Sequence, residues 1–233
     1  MKKDNFVNFT DSYDFFHLFC VRKSILDALK KNMSSFRGTH MDLGCGTMPY
    51  KELILSNKRV IKYIGMDLHK DGIHKDHYMA DIYWDGITMP LPDNSIDSMH
   101  ATEVFEHCSN VSVVFKEIHR VLKPGGSLFF TVPFLFQLHE VPNDFYRYTP
   151  FVLEKLFKET GFNNIKLEAR GGWNASMAQM ISLWIFGQYQ SHKVRLALFI
   201  ILRPFVRLLL RNDKKPQFAS GPMITGVSGL VTK

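Results

Sequence analysis

Short apolar runs alternate with amphipathic stretches through the middle of this chain of 233 residues. Runs rich in β-favouring residues predict strands at 39–43, 61–66, 77–80, 96–101, 127–132 and 164–168. Apolar residues recur at helical spacing in 49–57 and 110–122, so we expect helices there. Such alternation predicts an α/β fold with a mainly parallel sheet.

Segments before and after this alternating region also predict secondary structure. Residues 12–33 predict one or two helices ahead of the first strand. Thr149 followed by Pro150 is typical of a helix start, and we expect that helix to end near Gly161. The C-terminal stretch MITGVSGLVTK predicts a last strand.

Residues 174–215 depart from the alternation because they are apolar, helical in pattern and locally basic. Basic residues occupy roughly one quadrant of the second helix: Lys193, Arg203, Arg207 and Arg211. Pro204 is expected to kink that helix. A bilayer span needs about 20 apolar residues, which these interrupted runs do not supply. The segment fits a helix on an anionic membrane surface, a homodimer contact or a lid over the acceptor pocket.

Composition narrows the class of protein. With 45% hydrophobic and 13% aromatic residues the chain can bury a large core, and we expect a single domain. The three cysteines lack the paired spacing of a disulfide framework or a zinc site, so we expect a reducing compartment and no metal site. No apolar stretch follows the N-terminal lysines, as it would in a secretory signal, so a cytoplasmic location is expected. The net charge of +7 is concentrated in 192–215, which argues against nucleic acid as a partner.

A glycine turn follows the first predicted strand. Gly44 and Gly46 begin a dinucleotide-type fingerprint, but Pro49 stands where a third glycine is expected. A pyrophosphate is therefore disfavoured. Asp42, just before the turn, would repel a polyanion and attract an ammonium group, which favours a cationic ligand.

Two further carboxylates follow the next predicted strands. Asp67, beside Leu68, can accept hydrogen bonds from both hydroxyls of a ribose, and Asp81 with Ile82 offers a carboxylate and an apolar surface to a purine. Each residue singly could instead cap a turn or end a strand. Taken together with the turn, they describe S-adenosylmethionine as the ligand.

Four stretches of the sequence, in this order, resemble class I methyltransferases of the type 11 family: MDLGCGTMPY, YIGMDLH, LPDNSIDSMHATEVFEH and EIHRVLKPGGSLFFTVP. The resemblance implies that Asp42, Gly44 and Gly46 line the methionine part of the cofactor. Asp67 would hold the ribose, and Asp81 and Ile82 the adenine. Met48 departs from the family, in which many members have glycine, and this leaves the conformation of the turn open.

The resemblance also implies the architecture. We expect a Rossmann-like three-layer sandwich with a seven-stranded, mostly parallel sheet, an antiparallel last strand and a helical insertion before it. The single domain would comprise a helical cover at 1–38, a cofactor-binding core at 39–173, the amphipathic insertion at 174–215 and the last strand at 216–233.

The loops after the fourth and fifth strands should face the methyl group, because ligands of open α/β sheets bind at the carboxyl ends of strands. His139 is the first candidate for a general base, and His107 is a second catalytic candidate that could equally be structural. Polar and aromatic side chains of the same loop would bind the substrate: Glu140, Asp144, Arg147 and Tyr148, with Tyr146 as an alternative stacking residue. Arg147 could instead pair with Glu140 or Asp144 and merely fix the loop.

The sequence therefore predicts an S-adenosylmethionine-dependent methyltransferase acting on a small-molecule, sugar or lipid-linked glycan acceptor. It would work in the cytoplasm, with a possible peripheral contact at the inner face of the membrane. An NAD-dependent oxidoreductase and a non-enzymatic, membrane-docked cofactor-binding protein remain as alternatives.

Overall fold

A mixed sheet of seven strands is present in the computed structural model, which describes residues 6–68, 80–187 and 191–233. The strands are β1 (Gly38–Leu43), β2 (Val60–Leu68), β3 (Ile82–Trp84), β4 (Ile96–Thr102), β5 (Leu122–Pro133), β6 (Asn163–Arg170) and β7 (Gly226–Thr232). Their spatial order is β3-β2-β1-β4-β5-β7-β6. Strand β7 is antiparallel to β5 and β6, and the other neighbours are parallel.

Six α-helices accompany the sheet within these described ranges. They are α1 (Phe16–Lys31), α2 (Lys51–Leu55), α3 (Val111–Val121), α4 (Pro150–Glu159), α5 (Trp173–Gly187) and α6 (His192–Arg211). The sequence-based expectation of a Rossmann-like, mostly parallel seven-stranded sheet is therefore confirmed. The helical insertion lies between β6 and β7, as expected.

Helices cover both faces of the sheet, which is why its central strands are apolar on both sides. On one face, α3 and α4 meet through Phe115 and Phe157, whose rings stack with centroids 4.2 Å apart. On the other face, Leu29 of α1 and Ile54 of α2 pack in a cluster with Phe129 of β5. The result is the expected three-layer arrangement.

Helix α4 begins and ends where the sequence predicts. The side chain of Thr149 accepts a hydrogen bond from the backbone N–H of Val152, and Pro150 occupies the first turn, where its missing N–H is not needed. Gly161 follows the helix with φ of +92°, a conformation that a residue with a Cβ rarely adopts. This short sequence signal therefore fixes both ends of the helix.

The third strand differs from the prediction. Most of the predicted run at 77–80 lies outside the described residues, and the observed strand is Ile82–Trp84. It pairs in parallel with the end of β2, where Met66 is opposite Ile82. Asp81 consequently precedes β3 and does not follow it. The aromatic residues Tyr83 and Trp84, to which the sequence pattern assigned no element, belong to β3.

The insertion forms two helices that pack on α1. Ala178 and Ile185 of α5 and Phe199 and Val206 of α6 share a buried cluster with Phe16 of α1. Helix α6 continues through Pro204, which lies inside it. The side-chain amide of Gln179 donates to the backbone carbonyl of Leu135, so the insertion also contacts the loop after β5.

Two of the basic side chains of α6 are paired within the molecule. Arg203 and Arg207 both donate to the carboxylate of Asp11, with Arg203 Nη2 2.9 Å from Asp11 Oδ1. Burial alone would raise the pKa of Asp11, but the hydrogen bonds from both guanidinium groups outweigh it and lower this pKa to about 2. Within the described ranges, no helix is long and apolar enough to cross a bilayer.

The strand order reverses between β1 and β4. From β1 the chain proceeds outward through β2 and β3 and then returns to add β4 on the opposite side of β1. In open α/β sheets the ligand binds at such a switch point, outside the carboxyl ends of the strands. The turn after β1 and the loop after β4 therefore mark the site.

Candidate active site

The glycine turn after β1 has the open backbone that a bound ligand needs. Gly44 and Gly46 have φ of +69° and +49°. A Cβ on Gly44 would lie 2.5 Å from Val104 Cγ2, so Val104, just after β4, packs directly on the turn. A Cβ on Gly46 would meet nothing within 4 Å. Space is thus available above Gly46, while Gly44 is held against the loop that follows β4.

Met48 adopts a left-handed backbone conformation. Its φ is +53°, and its N–H donates to the carbonyl of Cys45 at 2.7 Å. A Cβ on Gly65 would lie 2.4 Å from Met48 Cε, so the Met48 side chain packs against the backbone of β2. Met48 therefore occupies a backbone conformation that favours glycine.

Asp67 and Leu68 lie at the end of β2, beside this turn. Asp67 Oδ2 accepts from the N–H of Gly46 at 2.8 Å, and Asp67 Oδ1 accepts from the N–H of Leu68 at 2.8 Å. Each carboxylate oxygen can accept more than one hydrogen bond, so both can also receive a ribose hydroxyl. The structure therefore brings Asp67 to the position that the sequence predicts.

Asp81 and Ile82 lie next to β2 as well. Asp81 Oδ2 accepts from the N–H of Gly65 at 2.8 Å, and the backbone N–H of Asp81 donates to the Gly65 carbonyl at 2.9 Å. The Asp81 side chain is exposed and Ile82 is half-buried. This pair fits the edge and face of a base, and it is anchored to the same strand that carries Asp67.

Asp42 is buried more deeply than the sequence suggests. Its carboxylate is 3% exposed, it accepts from the hydroxyl of Tyr63, and its Oδ1 lies 3.1 Å from His100 Nε2. His100 Nδ1 in turn lies 2.8 Å from His40 Nε2. Burial, together with the charge of His100, lowers the pKa of His40 well below its usual value. Asp42 is thus buried against Tyr63 and His100, and its role beside the methionine part of the cofactor stays a prediction.

The cofactor that these residues predict fits the site. Gly46 leaves open space, Asp67 and Asp81 present carboxylates along one sheet edge, and the Asp42 carboxylate adds negative charge behind the turn. Pro49 removes one backbone N–H from the loop before α2, although the helix itself begins two residues later at Lys51. A sulfonium ligand with a ribose and a purine matches this set better than a dinucleotide does.

A second group of polar side chains follows β4. Glu106 lies in a short 3-10 helix (Phe105–His107) and its side chain is 0% exposed. Burial, and then the negative charge of Glu103, raise the pKa of Glu106 well above its usual value. Glu103 itself is paired with Arg170, whose Nη2 is 2.7 Å from Glu103 Oε1. A buried carboxylate with a raised pKa, close to a cleft, is typical of a functional site.

The loop after β5 is tied to Glu106. The backbone N–H groups of Phe145 and Tyr146 both donate to the Glu106 carbonyl, at 2.8 and 3.3 Å. The hydroxyl of Tyr146 donates to the Ser109 carbonyl at 2.9 Å. The loops after β4 and β5 thus form one structural unit. Val104 packs on Gly44 and so connects that unit to the glycine turn.

His139 is oriented by a carboxylate. His139 Nδ1 lies 3.2 Å from Asp144 Oδ2, and Nε2 lies 3.9 Å from Glu106 Oε1. Arg147 donates to both oxygens of Asp144, at 2.6 and 2.8 Å, and these hydrogen bonds hold the pKa of Asp144 well below its usual range. His107 is adjacent, with ring centroids of the two histidines 4.7 Å apart. The two catalytic candidates therefore lie together.

Two substrate-binding predictions need correction. The Asp144 side chain is 2% exposed and its oxygens are engaged by Arg147 and His139, so it fixes the loop and is not available to a sugar hydroxyl. Tyr148 is buried and its hydroxyl donates to the Phe105 carbonyl at 2.9 Å, so it cannot stack on a ring. The reading of Arg147 as a structural partner of Asp144 is confirmed. Glu140 is exposed and stays a prediction.

Sequence reasoning assigned no role to Glu106, although it noted the residue in its loop. The sequence signal that could have pointed to Glu106 is its position next to His107, in the loop that follows the strand at the switch point. The pairing of Asp42 with His100 was also missed, because it depends on the register of β1 against β4, in which these two residues are opposite each other.

The fold is similar to that of solved S-adenosylmethionine-dependent methyltransferases. Residues 41–130 match the family model described as a methyltransferase domain, type 11. The matched range contains the glycine turn, Asp67 and Asp81. An S-adenosylmethionine-dependent methyltransferase of Archaeoglobus fulgidus superimposes with a TM-score of 0.57 at 18% identity, covering 96% of this chain and 100% of that one.

Curated relatives match over part of their length. A sterol 24-C-methyltransferase of Gibberella zeae is 32% identical over 97 residues, which are 37% of this chain and 25% of the relative. A fatty-acid O-methyltransferase of Mycolicibacterium smegmatis is 29% identical over 97 residues, 39% of this chain and 35% of the relative. The chain thus spans about a quarter to a third of the length of these relatives.

Proposed function

We propose that this protein transfers a methyl group from S-adenosylmethionine to a small-molecule, sugar or lipid-linked glycan acceptor, at a hydroxyl oxygen. One observation carries the proposal. The glycine turn with Asp67 and the histidine-carboxylate cluster around Glu106 lie at the same sheet edge, joined by the contact of Val104 with Gly44. A donor and an acceptor bound there would be adjacent.

The cofactor half of the reaction is a matter of positioning. Asp67 would hold the ribose hydroxyls, Asp81 and Ile82 the adenine, and Gly44 and Gly46 the methionine part. S-adenosylmethionine supplies an activated methyl group on a positively charged sulfur. Because methyl transfer is an in-line displacement, correct placement of the donor can supply much of the rate enhancement.

The acceptor half requires loss of a proton when the acceptor is a hydroxyl. His139 is placed to promote this loss, because its Nδ1 side is fixed by Asp144 and its Nε2 side faces inward toward Glu106. His107 is oriented similarly, with Nδ1 2.6 Å from the Asn143 carbonyl. Glu140, exposed on the same loop, would accept a hydrogen bond from the acceptor.

A cavity next to this loop supports an acceptor with an extended body. The volume of the cavity is about 400 Å³, and both charged and apolar side chains line it. The lining residues come from the N-terminal segment, α1, the loop after β5, α5 and α6: Tyr13, Asp14, His17, Gln137, Leu183, Phe186, Gly187 and Arg195. The Gln137 carbonyl accepts from Arg147 at 3.2 Å, which connects the cavity to the His139 loop. Relatives named for sterol and fatty-acid substrates favour a partly apolar acceptor.

We further propose that α5 and α6 contact an anionic membrane surface. Four large apolar side chains on one face of α5 are each about half exposed or more: Trp173, Met177, Met180 and Trp184. Exposed basic residues remain on α6 and just after it, including Lys193 and Arg211. Tryptophan with basic neighbours is the composition of a helix in the bilayer interface.

Flotation with vesicles tests the membrane contact. Wild-type protein should float with phosphatidylserine-containing vesicles at low salt and float less with neutral ones, because the basic residues attract anionic lipid. A Trp173→Asp, Trp184→Asp double variant should not float. Ile61→Asp, which changes an exposed residue of β2, is the control and should float like the wild type. Absence of flotation, with dimers in light scattering, would favour a homodimer contact.

Thermal shift separates the enzyme classes. S-adenosylhomocysteine, the demethylated product, should raise the melting temperature of the protein, because it binds the native state alone. NAD should not. Stabilisation by NAD and not by S-adenosylhomocysteine would favour the oxidoreductase reading. Transfer of a labelled methyl group from S-adenosylmethionine into extracted lipid or glycan fractions then identifies the acceptor.

A further inference from the structure

Three potential metal ligands converge between the loops after β4 and β5. Glu106, His107 and His139 each present one ligand atom, and these atoms all lie within 4.8 Å of one another. Glu106 Oε1 is 3.8 Å from His107 Nε2 and 3.9 Å from His139 Nε2. Sequence reasoning expected no metal site, because the cysteines lack zinc-ligand spacing.

The Glu106 carboxylate lacks the hydrogen bonds that a buried charge needs. Its side chain is 0% exposed, and within the described ranges neither Oε1 nor Oε2 has a hydrogen-bond partner. Leaving a buried carboxylate ionised without such partners is costly. A cation at this position would remove the cost.

The two histidines are oriented as metal ligands usually are. His107 Nδ1 is 2.6 Å from the backbone carbonyl of Asn143, and His139 Nδ1 is 3.3 Å from the backbone carbonyl of Gln137, with the carboxylate of Asp144 3.2 Å away. All of these partners accept hydrogen bonds, so each ring carries its proton on Nδ1. In this tautomer the lone pair of a ring is on Nε2, on the side of Glu106. Carbonyls and carboxylates in this outer position are typical of metal-binding histidines.

Hydrogen bonding alone does not explain the cluster. Distances of 3.8 and 3.9 Å from the Nε2 atoms to Glu106 Oε1 are too long for hydrogen bonds. Moreover, a proton on Nε2 in addition to the one on Nδ1 would make both rings cationic, although they stand edge to face with centroids 4.7 Å apart. A shared metal ion satisfies the three facing atoms at once.

We propose that Glu106, His107 and His139 bind one divalent metal ion of the zinc type, which keeps an open coordination position. Bonds of about 2.0–2.1 Å in tetrahedral geometry separate neighbouring ligand atoms by about 3.3 Å. The separations of 3.8 and 3.9 Å from Glu106 Oε1 exceed this by about half an ångström, and all three ligand atoms lie within 4.8 Å of one another, so metal binding requires the two rings to move closer together. Two histidines and one carboxylate are a common ligand set of metal sites that hold a water or substrate.

The metal also gives the acceptor reaction a route, and this part rests on the proposed function. A hydroxyl on the open position would lose its proton to solvent more readily, because the metal stabilises the alkoxide. The alkoxide lone pair then forms the O–CH3 bond, while the electrons of the S–CH3 bond return to sulfur and leave neutral S-adenosylhomocysteine. His139 thus promotes proton loss through the metal and does not itself accept the proton.

Metal titration of the full chain, without a polyhistidine tag and after treatment with EDTA, tests the site. Zn²⁺ should bind with one equivalent per chain, and Co²⁺ should give visible absorption bands of a low-symmetry nitrogen-oxygen site. Glu106→Gln and His107→Ala should each weaken Zn²⁺ binding at least tenfold. His119→Gln removes a histidine of α3 outside the cluster and should bind like the wild type.

Folding is controlled within the same experiment. Because Glu106 is buried, circular dichroism is used to check that Glu106→Gln folds. If it does not fold, metal binding by His107→Ala, at a partly exposed position, tests the site instead. Wild-type protein without saturable one-equivalent binding, or a folded His107→Ala that binds as the wild type does, would overturn the site.

The titration also separates this inference from the proposed function. S-adenosylhomocysteine binding is measured calorimetrically on the same EDTA-treated protein. Intact cofactor binding without metal binding would overturn the metal site alone. Intact Co²⁺ bands without any S-adenosylhomocysteine binding would overturn the methyltransferase proposal alone.

Discussion

Replacing Asp11 with Asn removes the charge that binds α6 to the N-terminal segment. Asp11 is buried and bonded to Arg203 and Arg207, and its pKa in the folded protein is about 2, against 3.8 for the ordinary side chain. A pKa difference of this size is equivalent to about 2 kcal/mol of stability at neutral pH. We therefore expect Asp11→Asn to lower the free energy of unfolding by about 2 kcal/mol at pH 7.

The pH dependence of this effect has a defined sign. Because the folded-state pKa is lowered, the contribution is fully present above about pH 4 and is lost as the pH falls through about 2. About half of it should remain at pH 3. Urea unfolding of the wild type and Asp11→Asn at pH 7 and pH 3 measures the difference.

Equal stability of the two proteins at pH 7 would refute the pairing of Asp11 with the two arginines. The result also bears on the membrane contact. If the pairing holds, Asp11 offsets one of the two positive charges of Arg203 and Arg207, and the other exposed basic residues must supply most of the attraction to anionic lipid.

Three further changes test the site. Gly44→Ala should lower the free energy of unfolding by about 1–3 kcal/mol, because φ of Gly44 is positive and the new Cβ would clash with Val104. The same variant should weaken S-adenosylhomocysteine binding in calorimetry. The control is Gly221→Ala, which has a similar φ and open surroundings, so it should lower the free energy of unfolding less and leave binding intact. Similar losses in both would refute the close approach. His139→Ala should lower turnover on an identified acceptor by about 100-fold or more and leave S-adenosylhomocysteine affinity unchanged; full turnover would exclude it from the chemistry. Tyr148→Phe should cost about 1 kcal/mol in urea unfolding and retain turnover, whereas a large loss of turnover at intact stability would restore its role in substrate binding.

Local signals in the sequence predicted much of the fold. Alternating strand and helix patterns gave the parallel core, and Thr149 with Pro150 gave the start of α4, because capping and proline act over only a few residues. The cofactor turn was predictable for the same reason, since Gly44 and Gly46 require only the chain around them.

Contacts between distant segments were not predictable. Asp42 seemed available to a ligand, but strand register places it opposite His100 in the sheet interior. The basic face of α6 suggested a membrane, yet Asp11, far away in the sequence, pairs with two of its arginines and offsets one of their charges. The cluster of Glu106 with His139 arises from two loops that no local pattern connects. Such pairings depend on tertiary packing, which periodicity does not encode.

Calorimetric titration of S-adenosylhomocysteine into the wild type and Asp67→Ala tests the central claim most directly. Asp67 anchors the Gly46 backbone and faces the predicted ribose position, so its loss removes a charged hydrogen-bond acceptor from the ligand. We predict one binding site per wild-type chain and an affinity at least tenfold weaker in Asp67→Ala. Equal affinity in the two proteins, or no binding to the wild type, would contradict the assignment of this turn to S-adenosylmethionine.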